Sequence, residues 1–225
     1  MEHTSPSIRA LVAAFLSTLL AHAPAARADT DLRGVAVGPK GPPIVLAGPK
    51  DFKAAVAVIE KATGAQGEKL PGDVPLAVGR SFALEPSLAE RLLEGSHRTF
   101  RKAGLYLFRY ERSFGMAGDK DLIGLLDTSD ANAVIRRIGT AGSHHGLTAE
   151  KVIAWLDGLA KDEPFDLWEV GVDYVAGRFE KTPKDPMGVA KRCAEFAPDL
   201  VAGRASTLDL LASEIKANRT LYLIW

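Results

Sequence analysis

The segment 165–180 constrains the fold more than any other part of the chain. It reads FDLWEVGVDYVAGRFE, in which apolar and polar residues alternate. Because successive side chains of a strand point to opposite faces, this alternation predicts one long strand with a core-facing side and a partly polar side. The core-facing side would carry Trp168, Val170, Val172, Tyr174 and Ala176, and the other side Glu169, Gly171 and Asp173. We interpret the polar side as a candidate binding surface.

A glycine-rich turn and a capped helix precede that strand. The turn reads GTAGSHHG at 139–146, and Thr148 follows where a hydroxyl can accept from the first free amides of a helix. Glu150 places negative charge at the positive end of this helix, and an apolar stripe follows at positions 152, 153, 156 and 159. We expect the turn to lie alongside the long strand, so that polar side chains and core meet there.

The other elements alternate loosely between strand and helix. Apolar runs predict strands at 44–47, 75–84, 105–111, 122–126 and 221–225, and helical spacing predicts helices beginning near Pro49, Pro86, Asp130, Pro186 and Leu208. Ser206 with Asp209 is a capping box for the last helix. The runs 105–111 and 122–126 also predict a long-looped hairpin. This order predicts a single α+β domain over 44–225, with a mixed β-sheet packed with several helices.

The first 28 residues have the organisation of a signal peptide. Arg9 provides a short basic region, an apolar run follows at 10–20, and small residues at Ala26 and Ala28 occupy the positions that a signal peptidase reads. The apolar run is shorter than the roughly 20 residues needed to span a bilayer. We therefore expect a periplasmic or secreted protein that begins at Asp29, with a flexible lead-in at 29–43. No cysteine stands directly after the cleavage site, so we expect no membrane anchor.

Composition argues against several classes of partner. The chain has 28 basic and 28 acidic residues, so it lacks the long-range field that recruits nucleic acid, and it contains no block of five or six like charges. Cys193 is the only cysteine, which excludes an internal disulfide. Its helical core position predicts a small buried hydrophobe.

Short motifs between 105 and 225 follow one another in a recognisable order. They are GTAG at 139–142 before a helix rich in Ile and Trp, VDYV at 172–175, Pro183 and Asp185 opening a helix, FAPD at 196–199 and LYLIW at 221–225. In this order they resemble the bacterial family called domain of unknown function 4253, over about 105–225. The resemblance implies a fold and no established activity.

The chain departs from that family at three places. Ala197 stands where the family usually has a cysteine, and His144 and His145 stand where it usually has an Asn-Tyr pair. The family commonly closes with two tryptophans and an aspartate, whereas this sequence stops at Trp225. If the family site uses that cysteine or that aspartate, this member lacks it.

The candidate binding residues are His144, His145, Asp173, Asp199 and Gly142. Imidazole near neutral pH can bind a ligand, move a proton or sense pH, although a solvated turn without a chemical role is the alternative. Adjacent residues in extended backbone point apart and zinc-site spacing is absent, so we expect no metal and no cofactor. Glycines 139, 142 and 146 either present amides to an anion or supply unusual backbone angles. Asp173, placed mid-strand, either pairs with Arg178 or a histidine of the turn, or faces solvent.

These residues lead to three functional hypotheses. The first is a non-enzymatic exported protein that binds an unknown protein or small ligand through the glycine-rich turn and the polar strand face. The second is a hydrolase or transferase in which a histidine and Asp173 act as base and orienter. The third is a degenerate relative that kept the scaffold and lost the family's site.

Overall fold

The computed structural model describes residues 41–71, 78–113, 118–142, 146–201 and 207–225. In these ranges the chain forms one α+β domain, as predicted, with a seven-stranded mixed sheet. The elements are α1 (Phe52–Thr63), β1 (Glu68–Lys69), β2 (Gly79–Leu84), α2 (Pro86–Lys102), β3 (Tyr106–Glu111), β4 (Asp121–Leu126), α3 (Ala131–Ile138), α4 (Ala149–Asp162), β5 (Phe165–Val170), β6 (Tyr174–Phe179), α5 (Pro186–Phe196), a 3-10 helix (Pro198–Leu200), α6 (Leu208–Asn218) and β7 (Thr220–Ile224). The predicted signal peptide, 1–28, and most of the predicted lead-in lie outside the described residues. No helix within the described ranges is both long and apolar enough to cross a membrane.

The strands lie in the order β1-β2-β4-β3-β5-β6-β7. Neighbours are antiparallel except β3 and β5, which run parallel and pair at Arg109 and Glu169. The predicted hairpin of β3 and β4 is confirmed. Because β3 pairs with β4 on one side and β5 on the other, it joins the two halves of the sheet.

Two hydrophobic clusters cover opposite faces of the sheet. Leu107 packs with α1 and α2, whereas its neighbours Tyr106 and Phe108 pack with the helices α3 to α6. Since adjacent side chains of a strand point in opposite directions, the two clusters lie on opposite faces. The apolar stripe predicted on α4 is confirmed, because all four of its residues are buried.

The prediction of one continuous strand at 165–180 is wrong. The segment folds back on itself, and β5 and β6 pair antiparallel, with Val170 opposite Val175. The Gly171 amide donates to the Tyr174 carbonyl over 2.9 Å, which closes the hairpin. A Cβ atom at Gly171 would lie 2.1 Å from the Tyr174 ring, so a glycine is required here. Folding back lets both halves of the segment pair in one sheet, while a bulge between Leu167 and Glu169 shifts the alternation within β5.

The strand predicted at 44–47 is also absent, because this segment crosses α2 and does not join the sheet. The Ile44 amide donates to the Arg91 carbonyl over 2.8 Å. The Ser96 hydroxyl donates to the Ile44 carbonyl over 2.7 Å and accepts from the Leu46 amide over 3.0 Å. A Cβ atom at Gly95 would lie 2.2 Å from the Ile44 carbonyl oxygen, so this glycine allows the backbones to approach closely.

One helix start and the cap of another helix differ from the predictions, whereas α6 begins at Leu208 as predicted. Asp51 caps α1 through the Ala54 amide at 2.7 Å, two residues after the predicted start at Pro49. The hydroxyl that caps α6 belongs to Thr207, which accepts from the Leu210 amide over 3.2 Å. Ser206, the predicted cap, lies outside the described residues.

Candidate functional site

Three distant parts of the chain meet at the end of β5. They are the glycine-rich turn, residue 225, and residues 171–173, which join β5 to β6 and are called the hairpin tip below. The three carbonyl oxygens of the hairpin tip accept hydrogen bonds from the Thr140 hydroxyl at 2.7 Å, the Ala141 amide at 2.8 Å and the Trp225 amide at 3.1 Å. The backbone of the tip is therefore fixed by long-range contacts as well as by its own strands.

Gly142 brings the glycine-rich turn against the indole of Trp225. A Cβ atom at Gly142 would lie 2.3 Å from Cδ1 of that ring. The Gly142 amide donates to the Leu147 carbonyl over 3.0 Å, and the Gly139 amide donates to the Ile135 carbonyl over 3.0 Å. Both amides are used within the chain, and Gly139 has a left-handed φ of 74°. These contacts indicate that the glycines allow close packing and unusual backbone angles. They disfavour the alternative in which the glycines present amides to an anion.

The predicted site residues have different surroundings. Asp173 is half-buried in the hairpin tip and does not lie in the middle of a strand. Its backbone and Gly142 both contact Trp225, so these two predicted residues lie close to one tryptophan. Asp199 lies in the 3-10 helix after α5. His144 and His145 lie outside the described residues, so their part in the site stays a prediction.

A buried network of charged side chains lies behind the hairpin tip, and sequence reasoning missed it. Arg109 and its partners Asp121 and Glu169 are at most 2% exposed. The Arg109 guanidinium is 3.2 Å from Oε1 of Glu169 and 2.7 Å from Oε2 of Glu90. Its Nε lies 2.9 Å from Oδ2 of Asp121 in an ion pair that lacks hydrogen-bond alignment.

Arg112 and Ser113 complete the network. Both Nη2 and Nε of Arg112 donate to the Glu169 carboxylate, at 2.5 and 3.2 Å, and the Ser113 amide donates to Asp121 over 2.8 Å. Burial works against the charged form of Arg112, but the Glu169 carboxylate raises its pKa above the ordinary value. The strand face that was predicted to be a polar binding surface is thus closed at Glu169 by two arginines. The sequence signal for this buried network was Arg109, a charged residue inside the largely apolar run YLFRYE of β3.

The Tyr174 hydroxyl is a neutral group beside this network. Burial, followed by the negative charge of Glu169, raises the pKa of Tyr174 well above its ordinary range. Its oxygen is buried and has no hydrogen-bond partner among the described residues. Tyr174 is therefore a phenol at neutral pH and does not act as a base there.

The described residues do not provide an evident metal site or thiol nucleophile. No group of three or more His, Cys, Asp or Glu side chains suited to a metal occurs within those ranges. Burial raises the pKa of the Cys193 thiol to about 12, so this side chain is a neutral buried hydrophobe, as predicted.

Residues 122–225 match the family model described as domain of unknown function (DUF4253). This segment is similar to the family that its order of motifs indicated. It contains the glycine-rich turn, the hairpin tip and Trp225, but Arg109, Arg112 and Glu90 precede it. Ala197, at the position where the resemblance implies a cysteine, is fully buried in the core, so a cysteine side chain there would also lie in the core. No curated protein and no solved structure matches the chain.

Proposed function

We propose that this protein is a non-enzymatic binding protein that contacts an unknown protein or small ligand with the hairpin tip and the glycine-rich turn. The observation that supports this is the combination of a fixed backbone and an exposed apolar side chain. All three carbonyls of the tip are hydrogen-bonded to distant residues, yet the Val172 side chain is 63% exposed.

A fixed tip favours binding for an energetic reason. Ordering a mobile loop on association costs free energy, and a loop already held in place avoids that cost. A single exposed valine is ordinary on a protein surface. Here Val172 lies next to the half-buried Asp173, so one short loop offers an apolar contact and a polar group together.

The proposed site is tested with a photo-cross-linking amino acid at Val172 in the full chain, produced in its native cells. Val78 is the matched control because it is 59% exposed and outside the hairpin tip. We expect a cross-linked product from position 172 and none from position 78. Changing His144, His145 and Asp173 together to alanine should abolish the product while leaving the thermal midpoint nearly unchanged. A product that survives the triple change, or equal products from both valines, would show that the site is placed wrongly.

The alternative function, a hydrolase or transferase, uses the same region of the molecule. It requires an imidazole within about 2.6–3.2 Å of the Asp173 carboxylate. The bond from the Ala141 amide to the Val172 carbonyl favours it, because it holds one flank of the turn beside Asp173. A direct pair would raise the pKa of one histidine, and Asp173→Asn would lower it again. If NMR titration shows no change in either histidine on this substitution, the enzymatic alternative is eliminated.

We also propose that the protein is exported and that a signal peptidase cleaves it after Ala28. The support is the order of basic residue, apolar run and small residues within 1–28. Amino-terminal sequencing of the protein from its native cells should begin at Asp29. A chain recovered intact from Met1 in the cytoplasm would contradict export.

A further inference from the structure

A second polar region lies at the other end of β5 from the hairpin tip. It is a cavity of about 640 Å³ that opens between the end of α2, the start of β5 and the end of β6. Its lining residues are Arg98, Arg101, Lys102, Ser129, Asp166, Glu180 and Lys181. This volume is within the range of about 300–1,000 Å³ that is typical of small-molecule sites.

Asp166 holds two arginines in position at this cavity. Its carboxylate, only 10% exposed, accepts from Nε of Arg98 over 2.9 Å and from Nη1 of Arg101 over 2.5 Å. A guanidinium has five N–H donors, so each arginine keeps further donors after binding Asp166. Arg101 also lies 5.7 Å from the centre of the Tyr106 ring, which fixes it further.

The lining carries an excess of positive charge. Four of its side chains are cationic and two are carboxylates, an excess of two charges. Arg101 and Lys102 lie in the last turn of α2, where cations interact favourably with the helix dipole. The helix dipole therefore accounts for the positions of Arg101 and Lys102 but not for that of Lys181. Lys181 follows β6 and approaches the same cavity from a different element.

We propose that this cavity binds a phosphate-bearing small molecule, specifically a phosphomonoester. Such a group carries a charge of about −1.5 to −2 at neutral pH, which matches the excess of the lining. Arginine presents paired donors that fit phosphate oxygens, and Asp166 has already oriented two such groups. Ser129 adds a hydroxyl, and the volume exceeds what a phosphate alone would fill. This site is independent of the hairpin tip and of the function proposed for it.

The first test compares two double variants of the full chain by calorimetry, with phenyl phosphate and inorganic phosphate as probes at physiological salt. Lys102→Gln with Lys181→Gln removes two cations from the cavity. Lys53→Gln with Lys61→Gln removes two cations from α1, outside the lining, and is the charge-matched control. We expect saturable 1:1 binding of phenyl phosphate, weakened at least about tenfold by the first pair and less than about twofold by the second. Failure of both probes to bind, or equal weakening in both variants, would overturn the proposal.

The second test separates an organised site from simple attraction of an anion to positive charge. Asp166→Asn makes the cavity more positive, so charge alone predicts tighter binding of phenyl phosphate. A site that depends on oriented arginines predicts weaker binding, and tighter binding would overturn the proposal. If Asp166→Asn does not fold, Arg101→Lys replaces it in the test, because this change keeps the charge and removes the paired donors. We expect it to weaken the binding of phenyl phosphate. Binding equal to that of the wild type in this variant would likewise overturn the proposal.

Discussion

Gly142 allows the indole of Trp225 to lie against the glycine-rich turn, and its replacement tests that packing. In Gly142→Ala the new methyl group would lie 2.3 Å from Cδ1 of Trp225, so either the ring or the turn has to move. Such overpacking costs about 1–3 kcal/mol. We expect urea unfolding to show a loss of stability in this range and the tryptophan fluorescence of the folded state to change.

Gly158, in the interior of α4, is the control for that substitution. A Cβ atom there would have no neighbour within 4 Å outside its own helix. Because glycine in a helix interior is less stable than alanine by about 0.5–1 kcal/mol, Gly158→Ala should stabilise the protein. Equal effects of the two substitutions would contradict the packing assigned to Gly142.

His97 is a buried residue whose titration should make the stability depend on pH. Its Nδ1–H donates to the Leu107 carbonyl over 2.7 Å, and its Nε2 is buried without a hydrogen-bond partner among the described residues. Burial lowers the pKa of His97 below its ordinary value of 6.5, although the Leu107 carbonyl works in the opposite direction. Below pH 6.5 the unfolded chain therefore takes up a proton before the folded chain does. Stability should fall as the pH decreases from 6.5 towards the folded pKa and then level off.

The contribution of His97 is isolated by comparison with His97→Asn, which keeps a donor for the Leu107 carbonyl but does not titrate. We expect the stability advantage of the wild type to shrink as the pH falls below 6.5, with a slope of at most about 1.4 kcal/mol per pH unit. Urea unfolding of both proteins at pH values between about 7.5 and about 5 measures this difference in stability. Parallel pH profiles for the two proteins would show that His97 accepts a proton as readily when folded as when unfolded.

Individual residues also show where sequence reasoning stops. The stripe on α4 could be predicted because helix periodicity is local and all its members face one core. The surroundings of Asp173 could not, because they depend on Trp225, which is 52 positions away in the sequence and donates to its carbonyl. Hydrogen bonds between distant residues leave no periodic pattern from which to predict them.

At the scale of elements, the Arg109 network joins α2, β3, β4 and β5 through side chains that are largely buried. Arg109→Met removes the cation between three carboxylates and leaves Asp121 without its guanidinium partner. Removing one member of a buried ion pair costs about 3–5 kcal/mol, because the remaining charge stays buried without compensation. We expect a loss of this order in urea unfolding.

Arg136→Met is the control for the Arg109 substitution. Arg136 donates to Glu150 across the surface at 2.8 Å, and their side chains are 38% and 67% exposed. Solvent and salt screen such a pair, so its removal should hardly change the unfolding midpoint. A similar loss from both substitutions would mean that the buried position of Arg109 is unimportant.

The hairpin of β5 and β6 shows why element boundaries were harder to predict than element types. Its two strands have the same alternation, so the complete segment reads as one strand. Gly171 was the one local indication of a turn, since glycine inside a strand pattern often marks an interruption. The choice between one strand and two depends on pairing with β3 and β7, which local alternation does not contain.

For the whole molecule, the amino-terminal third was the least predictable part. Residues 44–47 have the apolar character of a strand, but their hydrogen bonds go to Arg91 and Ser96 of α2. Gly95 permits this approach, and nothing near Gly95 in the sequence identifies the segment that will cross it. The class of fold could still be predicted, because it depends on the types and order of elements and not on every pairing.

We predict that residues 122–225, the segment that matches the DUF4253 model, do not fold alone. The match begins at residue 122, inside β4, and excludes β3, which pairs with β4 on one side and β5 on the other. A fragment of residues 122–225 would lose Tyr106 and Phe108 from the core and both arginines that neutralise Glu169. Extending it to 105–225 restores β3 but leaves the opposite face without α1 and α2.

We therefore expect a cooperative unfolding transition from 41–225 and none from the two shorter fragments, measured by circular dichroism in urea. The shorter fragments should also aggregate, because one or both faces of their sheet expose apolar residues that are buried in the complete domain. If the fragment 122–225 instead unfolds cooperatively, with the slope of unfolding free energy against urea concentration that is expected for its size, the chain contains a second folding unit. The prediction of a single domain over 44–225 would then be wrong, because β3 would not be needed to hold the two halves of the sheet together.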